Sequence, residues 1–523
     1  MATGVLSWPL ERGTRLHREK VAAIDGDRSV TYAELHRRVG ALGAGLGRLG
    51  VGRGERIGYL GVNSLPHLEC VLGVPSHGRV LTDLNFRLSA AELAFMVEDA
   101  EVGALVVDRA NLEVGRELRG LCSGLGTLVL ADEGEEADCV PYAELVAGEP
   151  VPWAAVDPDE LAAISYTGGT TGRPKGVMLS HANLLANAGH NLLATGHVPS
   201  DVMIHPCPMF HSAGVANLFA CLWVGASNVI VPRFDAADVV ARIERHGVTL
   251  AILVPTMLAR FLDHLEQEGG GVSTLRNLQY AASPISPDLQ RRAVERLGCE
   301  IAQFYGMTEA APTVTHLSPE DHARGVAGVE PHRTRLASVG VPVPGVQTEV
   351  RDADGREAGA GEVGEIWLRG PNVMLGYWNR PEETHDALVD GWYRSGDLGY
   401  ADADGYLYLV DRIKDMIVTG GENVYSVEVE RALQAHGAVR EAAVFGIPDP
   451  RWGEAVHAVV VVADGEALDE AELVAVCRAE LAGFKVPRSF ELRGEALPAS
   501  GAGKVLKAKL REPYWADRER SIS

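Results

Sequence analysis

Short apolar runs and longer amphipathic segments follow one another along much of this chain. From about residue 160, runs of five to seven mainly apolar residues are separated by segments whose apolar residues recur every three or four positions. The runs predict strands, which are LAAISYT (161–167), NVIVP (228–232), TLAILVP (249–255), NLQYA (277–281) and EIAQFY (300–305). The intervening segments predict helices, which are AADVVARIERHG, PTMLARFLDHLEQEG and SPDLQRRAVERLG. This order indicates βα units and a mainly parallel sheet.

The pattern differs in other parts of the chain. The first 150 residues repeat the βα style with a helix (TYAELHRRVGALGAGLGRLG), a strand (RIGYLGV) and a helix (SAAELAFMVEDA), whereas Gly and Pro break residues 338–410 into short strands. After Arg412 a new αβ pattern begins. We therefore predict an α/β protein with a large N-terminal domain (1–411) of βα subdomains and a small β subdomain. A mobile, smaller α+β domain (412–523) follows a boundary at the charged DRIKD (411–415).

Composition narrows the class of protein. A chain of 523 residues exceeds one hydrophobic core, so two or more domains are expected. No signal-like N-terminus or apolar run of eighteen residues occurs, and the seven cysteines form no CxxC pair. We expect a cytoplasmic protein without a membrane span, a disulfide framework or a cysteine-based zinc site.

The charge distribution argues against large polyanionic partners but leaves room for a small anionic ligand. The net charge of −23 argues against nucleic acid or an anionic membrane as a partner. From Arg412 onwards, however, 15 basic residues face 18 acidic ones, against 33 and 53 before it. Only seven of the 48 basic residues are lysines, so a retained Lys is a candidate for a role that needs a compact charge. For any single lysine, codon bias is an equal alternative.

One glycine-rich stretch is a candidate phosphate site. YTGGTTGRPKGV (166–177) follows a predicted strand, and its glycines let several N–H groups converge, while Thr hydroxyls and Lys175 add donors and charge. It differs from the ordinary nucleotide loop, since Arg173 and Pro174 separate Gly172 from the lysine and a strand-like run follows. On its own, the stretch could also be a flexible hairpin loop.

Six further stretches occur together with this loop in a recognisable order. They are PMFHSAG (208–214), YAASPIS (280–286), YGMTE (305–309), YRSGDLG (393–399), LVDRIKDMIVTGGENVYSVEVE (409–430) and PASGAGKVLKAKL (498–510). Over essentially its full length the chain resembles the adenylate-forming superfamily, and within it the acyl-CoA synthetases. The resemblance implies that a carboxylate attacks the α-phosphate of ATP to give an acyl-adenylate, after which coenzyme A displaces AMP.

The resemblance also assigns residues to the nucleotide and to Mg²⁺. Glu309 and Thr170 would hold the metal, Thr308 would donate to the α-phosphate, and His211 would lie beside the acyl carboxylate. The remaining nucleotide contacts would be Thr167, Gly168, Gly169, Thr171, Gly172, Lys175, Ala282, Ser283, Pro284, Tyr305, Gly306, Met307, Asp397 and Arg412. Structural alternatives stay open, namely a helix-capping Thr308–Glu309 pair, a turn-forming aspartate, a linker arginine and a core histidine.

The last part of the chain resembles the family's mobile domain. Lys504 would bridge the carboxylate and the α-phosphate, and Lys414 would be the hinge about which the domain rotates between half-reactions. We expect Lys507 and Lys509 to be solvated. Coenzyme A would contact a set that transfers less strongly by resemblance, namely Arg87, Gly420, Gly421, Glu422, Trp452, Phe484 and Lys485.

Some positions depart from the family pattern. Gly168 replaces a usual serine, Ala281 a usual glycine, and Ala499 and Ala502 a basic residue and a hydroxyl. Neutral drift is one explanation. The alternative is impaired adenylation, which would leave an enzyme that only converts a preformed acyl-adenylate to a thioester. Another adenylate-forming enzyme, such as a luciferase or a peptide-synthesis domain, and a noncatalytic acyl-nucleotide binder are further alternatives.

The acyl pocket follows from the same resemblance. It would lie around His211–Asn217, Asn228–Val231, Ala281–Ile285 and Gly306–Pro312, where many residues are small. We expect a roomy apolar pocket that suits a long-chain or bulky polycyclic acid rather than acetate. A homodimer is consistent with the family.

Overall fold

A computed structural model describes residues 4–167, 174–283, 285–463, 465–499 and 505–516. The predicted site residues Gly168, Gly169, Thr170, Thr171, Gly172, Pro284 and Lys504 lie outside these ranges. The described chain divides into two compact units, one made of residues 4–167, 174–347 and 368–393 and the other of residues 348–367 and 394–516. The proposed domain boundary at residues 411–415 stays a prediction.

The strands lie in the following order along the chain: β1 (Val21–Asp25), β2 (Arg28–Thr31), β3 (Arg56–Leu60), β4 (Val80–Leu84), β5 (Val102–Val107), β6 (Thr127–Leu130), β7 (Val140–Pro141), β8 (Leu161–Thr167), β9 (Lys175–Ser180), β10 (Val202–His205), β11 (Ser227–Ile230), β12 (Leu250–Leu253), β13 (Asn277–Ala281), β14 (Glu300–Gly306), β15 (Thr313–Leu317), β16 (Val341–Pro342), β17 (Gln347–Arg351), β18 (Gly364–Arg369), β19 (Gly376–Tyr377), β20 (Leu388–Val389), β21 (Trp392–Ala401), β22 (Leu407–Arg412), β23 (Ile417–Thr419), β24 (Glu422–Val424), β25 (Val439–Asp449), β26 (Gly453–Val462) and β27 (Ser489–Arg493).

The α-helices lie between these strands: α1 (Ser7–His17), α2 (Tyr32–Arg48), α3 (Leu65–Ser76), α4 (Ala90–Asp99), α5 (Leu112–Leu121), α6 (Tyr142–Ala147), α7 (His181–Thr195), α8 (Ser212–Val215), α9 (Leu218–Val224), α10 (Ala236–His246), α11 (Pro255–Gln267), α12 (Pro287–Leu297), α13 (Pro319–Val326), α14 (His332–Arg335), α15 (Pro381–Ala387), α16 (Ser426–Gln434), α17 (Glu470–Glu480) and α18 (Lys507–Trp515). Within the described ranges the chain also forms two 3-10 turns, Arg109–Asn111 and Thr308–Ala310.

The helices of the central βα units begin and end at residues that the sequence marks. The Asp235 side chain accepts a hydrogen bond from the Asp238 N–H at the start of α10, and Gly247 ends that helix in a left-handed conformation. Ser286 caps α12 in the same way, Pro287 occupies its first turn, and Gly298 follows its end. These caps satisfy terminal N–H groups and let the chain turn back toward the sheet.

The first unit contains two mixed sheets. The larger has the order β16-β15-β14-β13-β12-β10-β11-β1-β2, in which the run from β14 to β1 is parallel. The smaller has the order β19-β9-β8-β4-β3-β5-β6-β7, in which β8 to β7 are parallel and β9 is antiparallel to β8. The predicted α/β class is confirmed. Both parallel runs are largely buried, as their apolar sequences require.

The second unit is built mainly from antiparallel strands. Strands β21 and β22 pair with each other, and farther along the chain β25 and β26 form a long antiparallel hairpin whose second strand also pairs with β27 in parallel. Helices α16 and α17 contribute Val429, Leu433, Leu473 and Cys477 to the core beneath this sheet. The α+β character expected of the last part of the chain is therefore correct.

None of the helices in the described ranges combines the length and the apolar character that crossing a bilayer requires. The seven cysteines, all described, are free thiols.

Candidate active site

The larger sheet of the first unit gathers several predicted site residues at one edge. His211 lies beyond the end of β10, Ala282 and Ser283 follow β13, and Tyr305 and Gly306 end β14. Because these strands are parallel, their carboxyl ends meet at the same edge, where α/β proteins bind ligands. The fold thus brings these residues, which are far apart in sequence, to one side of the sheet.

His211 lies buried in the loop before α8. Its ring packs against Phe210 at 4.4 Å between centroids, and its Nε2 atom is buried without a hydrogen-bond partner among the described residues. Burial, and secondarily the charge of Arg87, lowers the pKa of His211 to about 4. Arg87 itself is exposed to solvent, with its guanidinium 5.9 Å from the Phe210 ring centroid. The imidazole is therefore neutral at pH 7, with one polar atom available to a ligand.

Asn63 positions the loop that carries His211. Its side-chain amide donates to the carbonyls of Cys207 and Val231 at 2.9 and 3.0 Å, and its oxygen accepts from the Met209 N–H at 2.7 Å. The side chain is almost fully buried, so the described contacts replace water. Sequence reasoning missed this residue because a single asparagine after a strand carries no distinctive signal.

A second buried asparagine supports the turn that carries Glu309. Asn372 donates to the carbonyls of Ala310 and Thr313 at 2.7 and 2.9 Å. Thr308 and Glu309 lie inside a 3-10 turn rather than capping a helix. Gly306 must lack a side chain there, since a Cβ atom would stand 1.7 Å from the Pro312 carbonyl oxygen. The backbone thus fixes the direction of this turn.

Glu309 belongs to a short polar chain. The Tyr377 hydroxyl donates to its Oε1 atom at 3.1 Å, and Lys175 Nζ lies 4.9 Å from the centroid of the tyrosine ring. Burial first, and then the charge of Glu309, raises the pKa of Tyr377, so its hydroxyl stays a donor. Lys175 opens β9 directly opposite Thr167, the last described residue before the glycine loop. Tyr377 was missed in the sequence, where it stands outside the recognised motifs.

This carboxylate is compatible with Mg²⁺. The described residues contain no cluster of three or more His, Cys, Asp or Glu side chains that could hold a metal ion. Mg²⁺ does not need such a cluster, because it usually binds one or two carboxylates together with water and phosphate oxygens. Glu309 offers a suitable oxygen, whereas Thr170 lies outside the described residues.

An internal cavity extends from His211 into the first unit. It encloses about 50 Å³, room for a few water molecules but less than an aromatic ring needs. Its wall includes Leu6, Val71, Pro75, Leu81, Asp83, Ala162, Ala163, Ser165, Leu179, Leu184, Asn187, Met209, Phe210, His211, Ser212, Val215, Ala216, Phe219 and Ala311. An acyl group would enter only if side chains such as Met209 or Phe210 moved.

The wall differs in part from the pocket expected from the sequence. Among the described residues of the expected pocket, His211, Ser212, Val215, Ala216 and Ala311 line the cavity. Asn228–Val231 and the described part of Ala281–Ile285 do not. Asn228 instead lies within the sheet, where its amide donates to the Ala22 carbonyl and its oxygen bonds to His205. Bulky Met209, Phe210 and Phe219 occupy space that the small residues alone suggested would be open.

In the second unit, Asp397 and Arg412 face each other on paired strands. Arg412 Nε lies 3.1 Å from Asp397 Oδ1, and the Asp397 carboxylate is mostly buried. The structure thus joins the two residues predicted to contact ribose and nucleotide. The pairing also argues against the alternative that Arg412 is only a charged linker residue, because its guanidinium has a defined partner in Asp397.

The predicted hinge segment is packed against a buried ionic cluster. Lys507 Nζ lies 2.7 Å from Glu430 and 2.6 Å from Ser426 Oγ, which in turn donates to Asp411 at 3.0 Å. Lys507 was expected to be solvated and is largely buried, because acidic groups from two other elements surround it. Lys509, two positions farther along the same helix, is exposed as expected.

The pKa values in this cluster reflect burial and pairing. Burial raises the pKa values of Glu430 and Asp411. For Lys507 burial alone would lower the pKa, but the nearby Glu430 and Asp411 charges outweigh it and raise the pKa. The cation therefore remains charged inside the unit. Arg511 on the same helix donates to the Lys414 carbonyl at 3.3 Å, which ties α18 to the predicted hinge residue.

Six of the seven residues assigned to coenzyme A lie in two places within the second unit, whereas Arg87 belongs to the first unit. Gly420 packs on Trp452, since a Cβ atom there would stand 2.7 Å from the indole, and the Arg488 and Arg451 guanidiniums lie 4.8 and 4.6 Å from the indole ring centroid. Gly421 and the exposed Glu422 continue that turn. Phe484 is exposed, whereas Lys485 pairs with Glu428 at 2.8 Å, so its charge already has a partner.

Comparison with known proteins accounts for this arrangement. The family described as AMP-binding enzyme matches residues 10–378, and its C-terminal domain family matches residues 428–504. The chain belongs to the AMP-binding enzymes. The family that the sequence motifs predicted is confirmed. This AMP-binding enzyme is an acyl-CoA synthetase, a ligase that joins a carboxylic acid to a thiol. The reaction passes through an acyl-adenylate and uses ATP and coenzyme A.

Named relatives cover nearly the whole AMP-binding enzyme. A feruloyl-CoA synthase from Amycolatopsis sp is 38% identical over 98% of this chain and 99% of the relative. A long-chain-fatty-acid–CoA ligase from Thermus thermophilus is 37% identical over 92% of this chain and 90% of the relative. The structure of o-succinylbenzoate CoA synthetase from Bacillus subtilis with its acyl-adenylate intermediate matches with a TM-score of 0.85 at 31% identity, over 96% and 97% of the two chains.

Proposed function

We propose that this AMP-binding enzyme carries out both half-reactions on a bulky or extended, mainly apolar carboxylic acid. The observation that carries the proposal is the arrangement of Lys175, Tyr377 and Glu309 beside the start of the glycine loop, in a unit whose internal cavity reaches His211. These residues provide positive charge, an oriented carboxylate and a place for the acyl end. The relatives' names cover aryl and long-chain acids, which supports the class without selecting one acid.

In the first half-reaction, one anion attacks another, so charge must be neutralised as the bond forms. We propose that Lys175 holds the β- and γ-phosphates and that the Thr308 hydroxyl donates to the α-phosphate. Neutral His211 would donate a hydrogen bond to the acyl carboxylate from Nε2, leaving the carboxylate nucleophilic. Asp397 would accept from the ribose hydroxyls, and Lys504 would act on the carboxylate and α-phosphate.

Glu309 is the described residue suited to hold Mg²⁺. When bound, the ion would withdraw charge from phosphate oxygens. The contribution of the chain itself is the fixed position of Glu309, which the Tyr377 hydroxyl and the Asn372-supported turn determine.

In the second half-reaction, the coenzyme A thiol attacks the acyl carbonyl and AMP leaves. We propose that the Gly420–Gly421 turn admits the pantetheine arm and that Trp452, with the neighbouring arginines, holds the adenine. A rotation near Lys414 would separate the two half-reactions. A cytoplasmic location and a homodimer complete the proposal, and the seven free cysteines agree with a reducing compartment.

The test measures the half-reactions separately. Acid-dependent ATP–pyrophosphate exchange reports adenylation, and mass detection of the CoA thioester reports the complete reaction over a panel of acids. Lys504→Ala should abolish exchange, whereas activity on acetate alone would contradict the proposed acid class.

The same assays address the alternative that only thioesterification occurs. If exchange is absent but synthetic acyl-AMP with coenzyme A still gives thioester, adenylation is impaired, and Gly168→Ser or Ala281→Gly should raise exchange. Absence of AMP production with any acid and coenzyme A would indicate a noncatalytic binder.

A further inference from the structure

One carboxylate on the wall of the internal cavity is paired with a buried histidine. Asp83 on β4 lines this cavity, and its Oδ1 atom lies 3.0 Å from Nε2 of His67 on α3. The imidazole is completely buried and stacks on Tyr59, with the ring planes 13° apart and the centroids at 3.8 Å. Stacking and burial hold the histidine, and the histidine in turn holds one oxygen of the carboxylate.

The pair is incompletely satisfied. Among the described residues, nothing donates a hydrogen bond to Oδ2 of Asp83, Nδ1 of His67 is buried without a partner, and the Ser165 hydroxyl has no partner. The wall is mainly apolar, although Asn187, His211 and Ser212 also line it, so a carboxylate there costs free energy unless a further donor reaches it. The cavity therefore offers an acceptor and a hydroxyl to whatever enters.

Strand register places Asp83 and Ser165 side by side. Asp83 lies directly opposite Ser165 in the parallel pairing of β4 and β8, so both side chains stand on the same face of the sheet. Both residues line the cavity that His211 also lines. An acid whose carboxylate binds at His211 can therefore direct its remote end toward Asp83 and Ser165.

We infer that Asp83 and Ser165 recognise a hydrogen-bond donor, chiefly a hydroxyl group, on the part of the acyl group remote from its carboxylate. The preferred acids would then combine an apolar aromatic or short aliphatic body with a hydroxyl at its far end. His67 positions the Asp83 carboxylate. This inference rests on the proposed function, because it uses the same cavity as the acyl site.

The experiment compares matched acids that differ only at the far end. The wild-type enzyme is assayed for CoA-thioester formation with 4-hydroxycinnamate and 4-methylcinnamate, and with 4-hydroxybenzoate and 4-methylbenzoate. A site built to bond a hydroxyl discriminates strongly against an analogue that lacks it, so in at least one pair kcat/KM should favour the hydroxyl acid by about tenfold or more. Asp83→Leu should abolish or reverse this ratio.

Further variants separate recognition from folding. Ser165→Ala should lower the ratio severalfold and keeps the test valid if Asp83→Leu does not fold. His67→Gln retains a donor and should preserve most of the ratio, whereas His67→Leu should lower it. The exposed Asp27, changed to leucine, serves as the matched control and should leave the ratio at the wild-type value.

The outcomes distinguish the inference from the function on which it rests. Equal use of both members of each pair by the wild-type enzyme, or an unchanged ratio in Asp83→Leu, would overturn the inference while the proposed function stands. Failure of the wild-type enzyme to form a thioester with any acid of a broad panel would overturn the proposed function and the inference with it.

Discussion

At the scale of single residues, the neutral state of His211 has consequences for the pH dependence of adenylation. Burial lowers its pKa to about 4, with a further contribution from Arg87, so the imidazole should stay neutral from pH 8 to about pH 5. We expect no loss of ATP–pyrophosphate exchange from this residue above pH 5. Removing the Arg87 charge in Arg87→Ala should raise the pKa and move the acidic limb of the profile to higher pH. An unmoved or downward-shifted limb would contradict this.

The hydrogen bond between Tyr377 and Glu309 can be removed by a substitution that deletes only the phenolic oxygen. Tyr377→Phe keeps the ring under Lys175 but leaves the half-buried Glu309 carboxylate without this donor. Because water also reaches the carboxylate, we expect the free energy of unfolding to fall by about 1–2 kcal/mol, toward the lower end of the effect of a hydrogen bond to a charged group. Exchange should fall as well, since the carboxylate loses its orientation. Denaturant unfolding and exchange assays measure both effects.

A matched control exists in the second unit, where Tyr400 stacks on Tyr408 at 4.8 Å. Tyr400→Phe keeps this stacking and should leave exchange unchanged. Equal losses in the two variants would mean that the effect at Tyr377 is not specific to Glu309.

At the scale of elements, Asn63 joins the end of β3 to the loop after β10. Asn63→Ala should lower the free energy of unfolding by about 1–3 kcal/mol, because it leaves the Met209 N–H and the Cys207 and Val231 carbonyls unsatisfied in a buried place. The loosened loop should also raise KM for the acid more than KM for ATP. Equal changes in both KM values would show that the loop does not position the acyl end.

Helix α18 allows a direct test of the buried ionic cluster. Lys507→Met removes the cation and leaves Glu430 and Asp411 buried without it, so we expect a loss of about 3–5 kcal/mol in the unfolding of the second unit. Lys509→Met changes an exposed lysine on the same helix and should cost little. Chemical denaturation of both variants gives the comparison, and similar losses would contradict the burial of Lys507.

At the scale of the whole molecule, buried histidines should make the protein sensitive to acid. Burial lowers the pKa values of seven histidines in the first unit to about 4, namely His77, His181, His190, His197, His211, His316 and His322. Their unfolded pKa is about 6.5, so the unfolded state binds protons first as the pH falls. Their stabilising contribution is complete above pH 6.5 and is lost progressively toward pH 4. A melting temperature that stays level between pH 7 and pH 5 would contradict this.

The sequence was sufficient for most of the framework and for the family. Strands β11 to β14 and their helices were predictable because apolar periodicity and caps such as Asp235 and Ser286 are local signals. The burial of Lys507 was not predictable, since Glu430 and Asp411 reach it only through tertiary packing. The composition of the cavity wall was likewise not predictable from the sequence, because Asp83 and Ser165 become neighbours only when β4 pairs with β8.

The interleaved order of the two units also bears on biosynthesis. The ribosome releases residues 348–367, which belong to the second unit, before residues 368–393, which complete the first. Residues 348–367 therefore stay with unpaired strand edges until the remainder of the second unit has been translated. A nascent chain that has emerged from the ribosome as far as residue 411 would hold a complete first unit and an isolated piece of the second, a state in which chaperone protection matters most.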